Sequence, residues 1–337
     1  MSHKLLDVVT GGAGFIGSHL VDRLLAEGRQ VRVVDSLVSG HPRNLQQHQH
    51  NPHLELIVGD VSDMELMKKA CQDADRVFHL AARADIVPSI ENPLEYYRAN
   101  VDGTFATLEA ARFHQVKKFI YVASSSCYGF PEVVPTHEKS RISPQYPYAL
   151  TKFLGEELAL HWQKVYKLPV LSLRFFNVYG PRARTSGSYG AVFGVFLAQL
   201  LADKPLTVVG DGEQKRDFTF VGDVVDAIVT AGGSDINGEI FNVGSGREPV
   251  SVNHLVQLLG AREVVYIPKR PGEPDITCAD VSKIKTMLNW QASVPIEEGV
   301  RVMLDHIDYW REAPVWTPET IADATSVWFK CLDGHTA

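Results

Sequence analysis

Five short runs rich in Val, Ile and Leu recur through the first half of the chain, at Leu5 to Val9, Gln30 to Val34, Leu54 to Val58, Arg76 to Leu80 and Phe119 to Val122. Longer amphipathic segments separate them. Such runs suit strands buried on both faces, and the segments between suit crossover helices, so the pattern predicts an open, doubly wound parallel α/β sheet. A further run, Pro169 to Leu173, predicts one more strand, after which Pro and Gly become frequent and the rhythm turns irregular. A soft boundary is set near Arg174. Beyond it, helices are predicted over Ala191 to Ala202, Phe220 to Ala231, Val252 to Leu259, Val281 to Leu288 and Ile296 to Trp310, with strands at Leu206 to Val209 and Val264 to Ile267. They make a smaller mixed α/β lobe. Thr317-Pro318-Glu319 reads as an N-cap with Pro at the first helical position, which predicts a last helix over 318 to 331.

The 337 residues fit about two domains at roughly 150 residues each. No stretch reaches the roughly 18 consecutive apolar residues of a membrane span. Thirty-three Lys and Arg against 40 Asp and Glu give 33 − 40 = −7, a field that does not favour nucleic acid or an anionic membrane. An anionic ligand would need a local Arg cluster. Cys71, Cys127, Cys278 and Cys331 are scattered, without a C-x-x-C pair, which suits a reducing compartment and argues against zinc. The N-terminus has no apolar core with a cleavage site, so no signal peptide is read and a cytoplasmic location is expected. His48, His50 and His53 lie in a polar stretch without acidic or Cys partners and are not read as metal ligands.

The first run empties into Thr10-Gly11-Gly12-Ala13-Gly14-Phe15-Ile16-Gly17, and a helical pattern follows. Glycines at 11, 14 and 17 permit a tight turn, close approach of a pyrophosphate and close packing of helix on strand, while the helix N-terminus offers N–H groups to the anion. Asp35 ends the next strand, 18 residues after Gly17, near the spacing of an acid that grips a ribose 2′-hydroxyl. Its charge favours NAD over NADP. Asp60 and Val61 after the third run stand where the adenine would lie. Tyr148 and Lys152, at i and i+4, share one face of a predicted helix, so the ammonium favours the ionised phenol. Upstream, Val122-Ala-Ser124-Ser125-Ser126-Cys-Tyr-Gly129 ends a strand in hydroxyls at the sheet edge where ligands bind.

With these motifs the chain resembles the extended short-chain dehydrogenases/reductases, in their sugar-nucleotide epimerase and dehydratase group. The likeness runs over about residues 4 to 312, and the final stretch from Ala313 lies outside it. It rests on TGGAGFIGSHL from Thr10, VVDSL, GDVSD, HLAA from His79, NVDGT from Asn100, SSSCYG from Ser124, YALTK from Tyr148, RFFNVYGPR from Arg174, GDGEQKRDFTFVGDVVDA from Gly210, FNVGSG from Phe241 and RPGEPD from Arg270. The resemblance implies a Rossmann NAD-binding domain over 1–174 that also carries the catalytic residues, an interleaved nucleotide-sugar lobe over 175–312 and a helical extension over 313–337. By position it implies Tyr148 as the acid/base at a sugar hydroxyl, Lys152 tuning it and holding the nicotinamide ribose, and Ser124 bonding the same sugar oxygen. Leu80, Ala81, Ala82 and Asn100 join the NAD site. Ser125 and Ser126 flank the sugar, Asn177, Arg216 and Arg270 meet the nucleotide diphosphate or nucleoside, and Glu273 lies near the ribose. A homodimer is implied, through helices near 95–113 and 148–166.

Members of the group that eliminate water carry Asp and Glu in the two positions after the Ser/Thr, and decarboxylases keep a Glu there. Here these positions hold Ser125 and Ser126, whose hydroxyls are not acids or bases near neutral pH. The implied reaction is epimerisation at C4 of a nucleotide-diphospho-hexose of the UDP-glucose/UDP-galactose type. Thr277, where some members carry a bulky Tyr, leaves room for a UDP-N-acetylhexosamine. A UDP-glucuronate epimerase, a dehydratase or decarboxylase of the same group, and a catalytically silent NAD-binding regulator stand as alternatives. Arg83 and Cys127 have no role in this reading.

Overall fold

The computed structural model describes residues 5–183 and 191–332. Six strands form where the apolar runs predict them, to within two residues: β1 (Leu6–Thr10), β2 (Gln30–Asp35), β3 (Leu54–Val58), β4 (Arg76–His79), β5 (Lys118–Ser124) and β6 (Val170–Phe175). All pair in parallel in the order β3-β2-β1-β4-β5-β6. β5 and β6 are buried along almost their whole length, as strands covered on both faces must be. The chain then leaves the sheet through β7 (Asn177–Tyr179), β8 (Leu206–Val209), β9 (Lys215–Arg216) and β10 (Phe218–Phe220). It returns as β11 (Glu239–Val243), parallel to β6 from Glu239 opposite Leu171 to Val243 opposite Phe175. The sequence reading assigns no strand there, although Ile240, Phe241 and Val243 between Gly238 and Gly244 are strand formers, because the run stands alone in the irregular second half. Arg174 itself lies inside β6, so the soft boundary near it cuts through a strand.

The first part carries α1 (Phe15–Ala26), α2 (Met64–Ala70), α3 (Ile86–Glu91), α4 (Pro93–Tyr97), α5 (Gly103–Phe113) and α6 (Pro147–Tyr166). The second carries α7 (Val192–Leu201), α8 (Val221–Gly233), α9 (Val252–Leu258), α10 (Ser282–Leu288), α11 (Ile296–Asp305) and α12 (Pro318–Leu332). Strand alternation separates two cores. Val9, Phe78 and Ile120 face Leu20 and Leu24 of α1 and Val224 and Ile228 of α8, whereas Val8, Val77 and Phe119 face Met67 of α2, Leu108 of α5 and Trp162 of α6. The smaller lobe has its own core around Phe196, Leu206, Leu255, Met303 and Trp310. β12 (Val250–Ser251) pairs with β9, and β13 (Val264–Ile267) with β8. The helix predicted through Trp310 ends at Asp305; a short 3-10 turn, Ile307–Trp310, then carries Trp310 fully into that core. Among the described residues, no helix is long and apolar enough to cross a membrane.

Candidate active site

The loop between β1 and α1 is shaped by what glycine lacks. Gly11 has φ +70°, and a Cβ there would stand 2.8 Å from the Ala81 backbone nitrogen; one on Gly17 would stand 2.1 Å from the Gly11 carbonyl oxygen. Gly14 takes the N-cap position of α1 without a side-chain cap, so Phe15, Ile16 and Gly17 open the helix with first-turn N–H groups that no side chain covers. Such a cradle fits a dinucleotide pyrophosphate. Asp35, buried at the end of β2, accepts Ala13 N at 2.9 Å and Leu37 N at 2.9 Å, so it braces this loop from beneath. Burial raises its carboxyl, against the pull of those two N–H groups. Asp60 is exposed and accepts Ser62 N, while Val61 is buried against Gly103.

Leu80, Ala81 and Ala82 run off the end of β4 beside Gly11, with Leu80 N on Thr10 O and Ala81 N on Thr10 Oγ1. Asn100 holds them. It lies in a single π-turn, Arg98–Asp102; its Oδ1 accepts Arg83 N at 2.8 Å and its Nδ2 donates to Arg83 O and to Thr151 Oγ1 at 3.0 Å. Its amide thus brackets the 80–83 segment to the helix that carries Lys152, and this gives Arg83 a structural role in the bracket. The Arg83 guanidinium pairs outward with Glu95.

β5 ends at Ser124, whose hydroxyl caps a 3-10 turn over Ser125–Tyr128 by accepting Ser126 N; Gly129, at φ +60°, closes it. Ser124 Oγ and Ser126 Oγ lie 2.8 Å apart, and both hydroxyls act on the Tyr148 phenol. Burial raises that phenol, which the two serines oppose, and the Asp85 carboxylate ahead of α3 adds to the rise. One turn on, Lys152 is 4% exposed, and burial lowers its amine to about 7. Its Nζ sits 4.6 Å above the Tyr121 ring, and Tyr121 donates its hydroxyl to Lys152 O at 2.9 Å. Another turn on, buried Glu156 accepts from Ser172 and from Arg174 of β6, and Arg174 also donates to Tyr128. The face of α6 bearing Tyr148 and Lys152 is therefore fixed to β5 and β6.

Sequence reasoning missed Tyr121, Glu156 and Asp85. Glu156 had a signal, an acid at i+4 from Lys152; Tyr121 and Asp85 come from other elements and had none. Cys127, also without a reading, is a buried apolar contact beside Tyr128 and Phe176.

The smaller lobe contributes a cleft of about 500 Å³ lined by Lys215, Arg216, Lys269, Arg270 and Glu273. Arg216 Nη2 and Arg270 Nη1 each lie 3.3 Å from a different oxygen of Glu273, so one carboxylate gathers both guanidiniums. Asn177, opening β7, accepts the Thr277 hydroxyl at 2.9 Å. Tyr146 links the two regions: it stacks on Tyr148 at 6.3 Å and 10°, and Glu273 and Arg216 both act on its phenol. His48 pairs with Asp22; among the described residues, no cluster of His, Cys, Asp and Glu could hold a metal.

Residues 8–244 match the model of the NAD dependent epimerase/dehydratase family. A UDP-glucose 4-epimerase of Mycolicibacterium smegmatis is 37% identical over 299 residues, 87% of this chain and 95% of its own. The structure of a UDP-N-acetylglucosamine 4-epimerase from Methanobrevibacter ruminantium M1, in complex with UDP-N-acetylmuramic acid, superposes with a TM-score of 0.85 at 33% identity, over 91% of this chain and 99% of that one. A UDP-glucuronic acid 4-epimerase from Bacillus cereus, in complex with UDP-glucuronic acid and NAD, gives a TM-score of 0.83 at 34% identity, over 90% and 99%.

Proposed function

This chain belongs to the NAD-dependent epimerase/dehydratase family, and on that premise we propose that it inverts C4 of a UDP-linked hexose of the glucose/galactose type. When bound, NAD supplies a hydride acceptor that turns donor. The chain's own residues do the rest. The Gly11 to Gly17 loop and the start of α1 take the pyrophosphate, Asp35 takes the adenosine ribose, and Asp60 and Val61 border the adenine. Leu80 to Ala82, held by Asn100, wall the nicotinamide end. Arg216 and Arg270, with Asn177, hold the nucleotide diphosphate by guanidinium forks inside an overall acidic protein, and Glu273 lies at the ribose. Tyr148 takes the proton of the C4 hydroxyl and gives it back, while Ser124 and Ser126 hold that oxygen and Lys152 favours the phenolate.

Tyr148 must fall from above 10 toward neutrality, at about 1.4 kcal/mol per unit. Burial works against this and the two serines oppose burial; the rest of the shift comes from positive charge at the phenol, the Lys152 ammonium and an oxidised nicotinamide ring. The observation that carries the reading is the paired Ser124 and Ser126 hydroxyls acting on the Tyr148 phenol, with Ser125 and Ser126 in the two positions where elimination needs an acid and a base. The same retained Tyr, Lys and Ser set argues against a silent regulator. Asp85 beside the phenol favours a neutral hexose over a uronate, and Thr277 favours acceptance of an N-acetyl group. A panel of UDP-, GDP-, CDP- and dTDP-sugars followed by NMR tests the reading. Interconversion of UDP-glucose and UDP-galactose is expected; no turnover would favour the regulator, and a stable keto-deoxy sugar the dehydratase.

The protein is further proposed to be a homodimer. Leu94, Tyr97, Phe105, Leu150 and Tyr166 leave large apolar side chains exposed on α4, α5 and α6, which pack against one another. Four free thiols, one of them exposed, support a cytoplasmic location.

A further inference from the structure

Helix α12 lies outside the region of family resemblance, yet it touches both ends of the proposed substrate site. Its buried residues Ile321, Thr325, Trp328 and Leu332 follow a helical period and form one face. Ile321 enters the smaller lobe's core, whereas Trp328 and Leu332 form a separate cluster with Val87 of α3, against which Tyr146 packs. Tyr146 is the residue stacked on Tyr148. At the other end, Trp328 Nε1 donates to Pro271 O at 2.7 Å, and the Arg270 guanidinium stands 5.4 Å over the Trp328 ring. Leu332 fills the space over Gly272, where a Cβ would come within 3.0 Å of it, and Gly272 takes φ +76°. The loop that carries Arg270 and Glu273 is thus fastened residue by residue to α12.

We propose that α12 is a strap that sets the nucleotide end of the site, with Trp328 as the positioning residue for Arg270. Trp328 acts through Pro271 and Arg270. It fixes the loop through the hydrogen bond to Pro271 and holds the guanidinium by its ring face, so that Arg270 stays beside Arg216 over the shared Glu273. An Arg on an untied loop would give up rotamer and backbone freedom on meeting a diphosphate; one already tied gives up less. The main consequence falls on nucleotide binding, because the direct contacts of Trp328 are to Arg270 and Pro271, whereas the proton moves at Tyr148. The inference rests on the nucleotide-sugar reading above.

The test uses the full chain and UDP itself as the probe. Trp328→Phe keeps an aromatic face under the guanidinium and removes the N–H; Trp328→Ala removes both. Folding is checked by thermal melting. Trp328→Phe should raise the Kd for UDP about threefold and Trp328→Ala about tenfold or more. KM for UDP-glucose should rise in step, while kcat at saturation and the Kd for NAD stay within about twofold of the native protein. Folded variants that bind UDP as the native protein does would overturn the proposal. So would a loss spread equally over UDP, NAD and kcat, which marks general loosening. If the native protein binds UDP and the variants weaken it, but no nucleotide sugar is epimerised, the strap stands and the proposed reaction fails.

Discussion

Tyr148 and Lys152 are both pushed by burial toward their neutral forms, and this opposition governs what single changes should do. Tyr148→Phe removes the proposed proton carrier while leaving the cradle intact. Turnover should drop about 10²- to 10⁴-fold with NAD binding retained, as calorimetry and initial rates will show. Lys152 titrates near 10.5 in the unfolded chain and near 7 in the ligand-free fold. Between these values the unfolded state binds more protons, so this residue's penalty on stability is full below about pH 7 and fades as pH rises. Lys152→Met should therefore raise the melting temperature of the NAD-free protein at pH 7, and the gain should shrink by pH 9. A gain that stays constant or grows with pH would refute the assignment. The Tyr148 and Lys152 pair is legible in sequence because i, i+4 spacing alone puts both on one face. Tyr121 under the ammonium is not: it lies 31 residues away on β5, and only the docking of α6 brings it there.

The β1–α1 turn and helix α6 work only as elements with backbone in close contact. Gly17→Ala would drive a methyl group into the Gly11 carbonyl, so NAD affinity should fall at least about tenfold, measured by titration. Gly155, one turn beyond Lys152, faces the Tyr121 hydroxyl at 2.3 Å from where a Cβ would sit. Gly155→Ala should cost about 1–3 kcal/mol in a denaturant melt, and it should lower turnover more than NAD binding, because it lifts Lys152 off β5. The first six strands and α1 are legible because each is a short apolar run beside a helical period. β11 is not, since its short Ile240, Phe241 and Val243 run lies far from the others in sequence and only pairing with β6 brings it into the sheet. The pairing of Arg174 with Glu156 is likewise invisible in a chain where the two stand 18 residues apart.

The proposed substrate site belongs to the whole molecule, because its hydroxyl cluster hangs from β5 and α6 while its guanidiniums come from the smaller lobe. The return of β11 to the sheet and the packing of α8 on α1 bind the two parts together. Sequence motifs named residues on both sides, but the strap from Trp328 to Arg270 had no motif and needed coordinates. At this scale a dimer is expected by light scattering, and Phe105→Glu, on the exposed face of α5, should shift it to the monomer. The most direct test of the central claim is UDP-glucose carrying deuterium at C4, incubated with the protein and NAD in ordinary water and analysed by NMR. The account predicts UDP-galactose with the label kept at C4 and no keto sugar accumulating. UDP-glucose returned unchanged, or UDP-galactose with solvent hydrogen at C4, would contradict it.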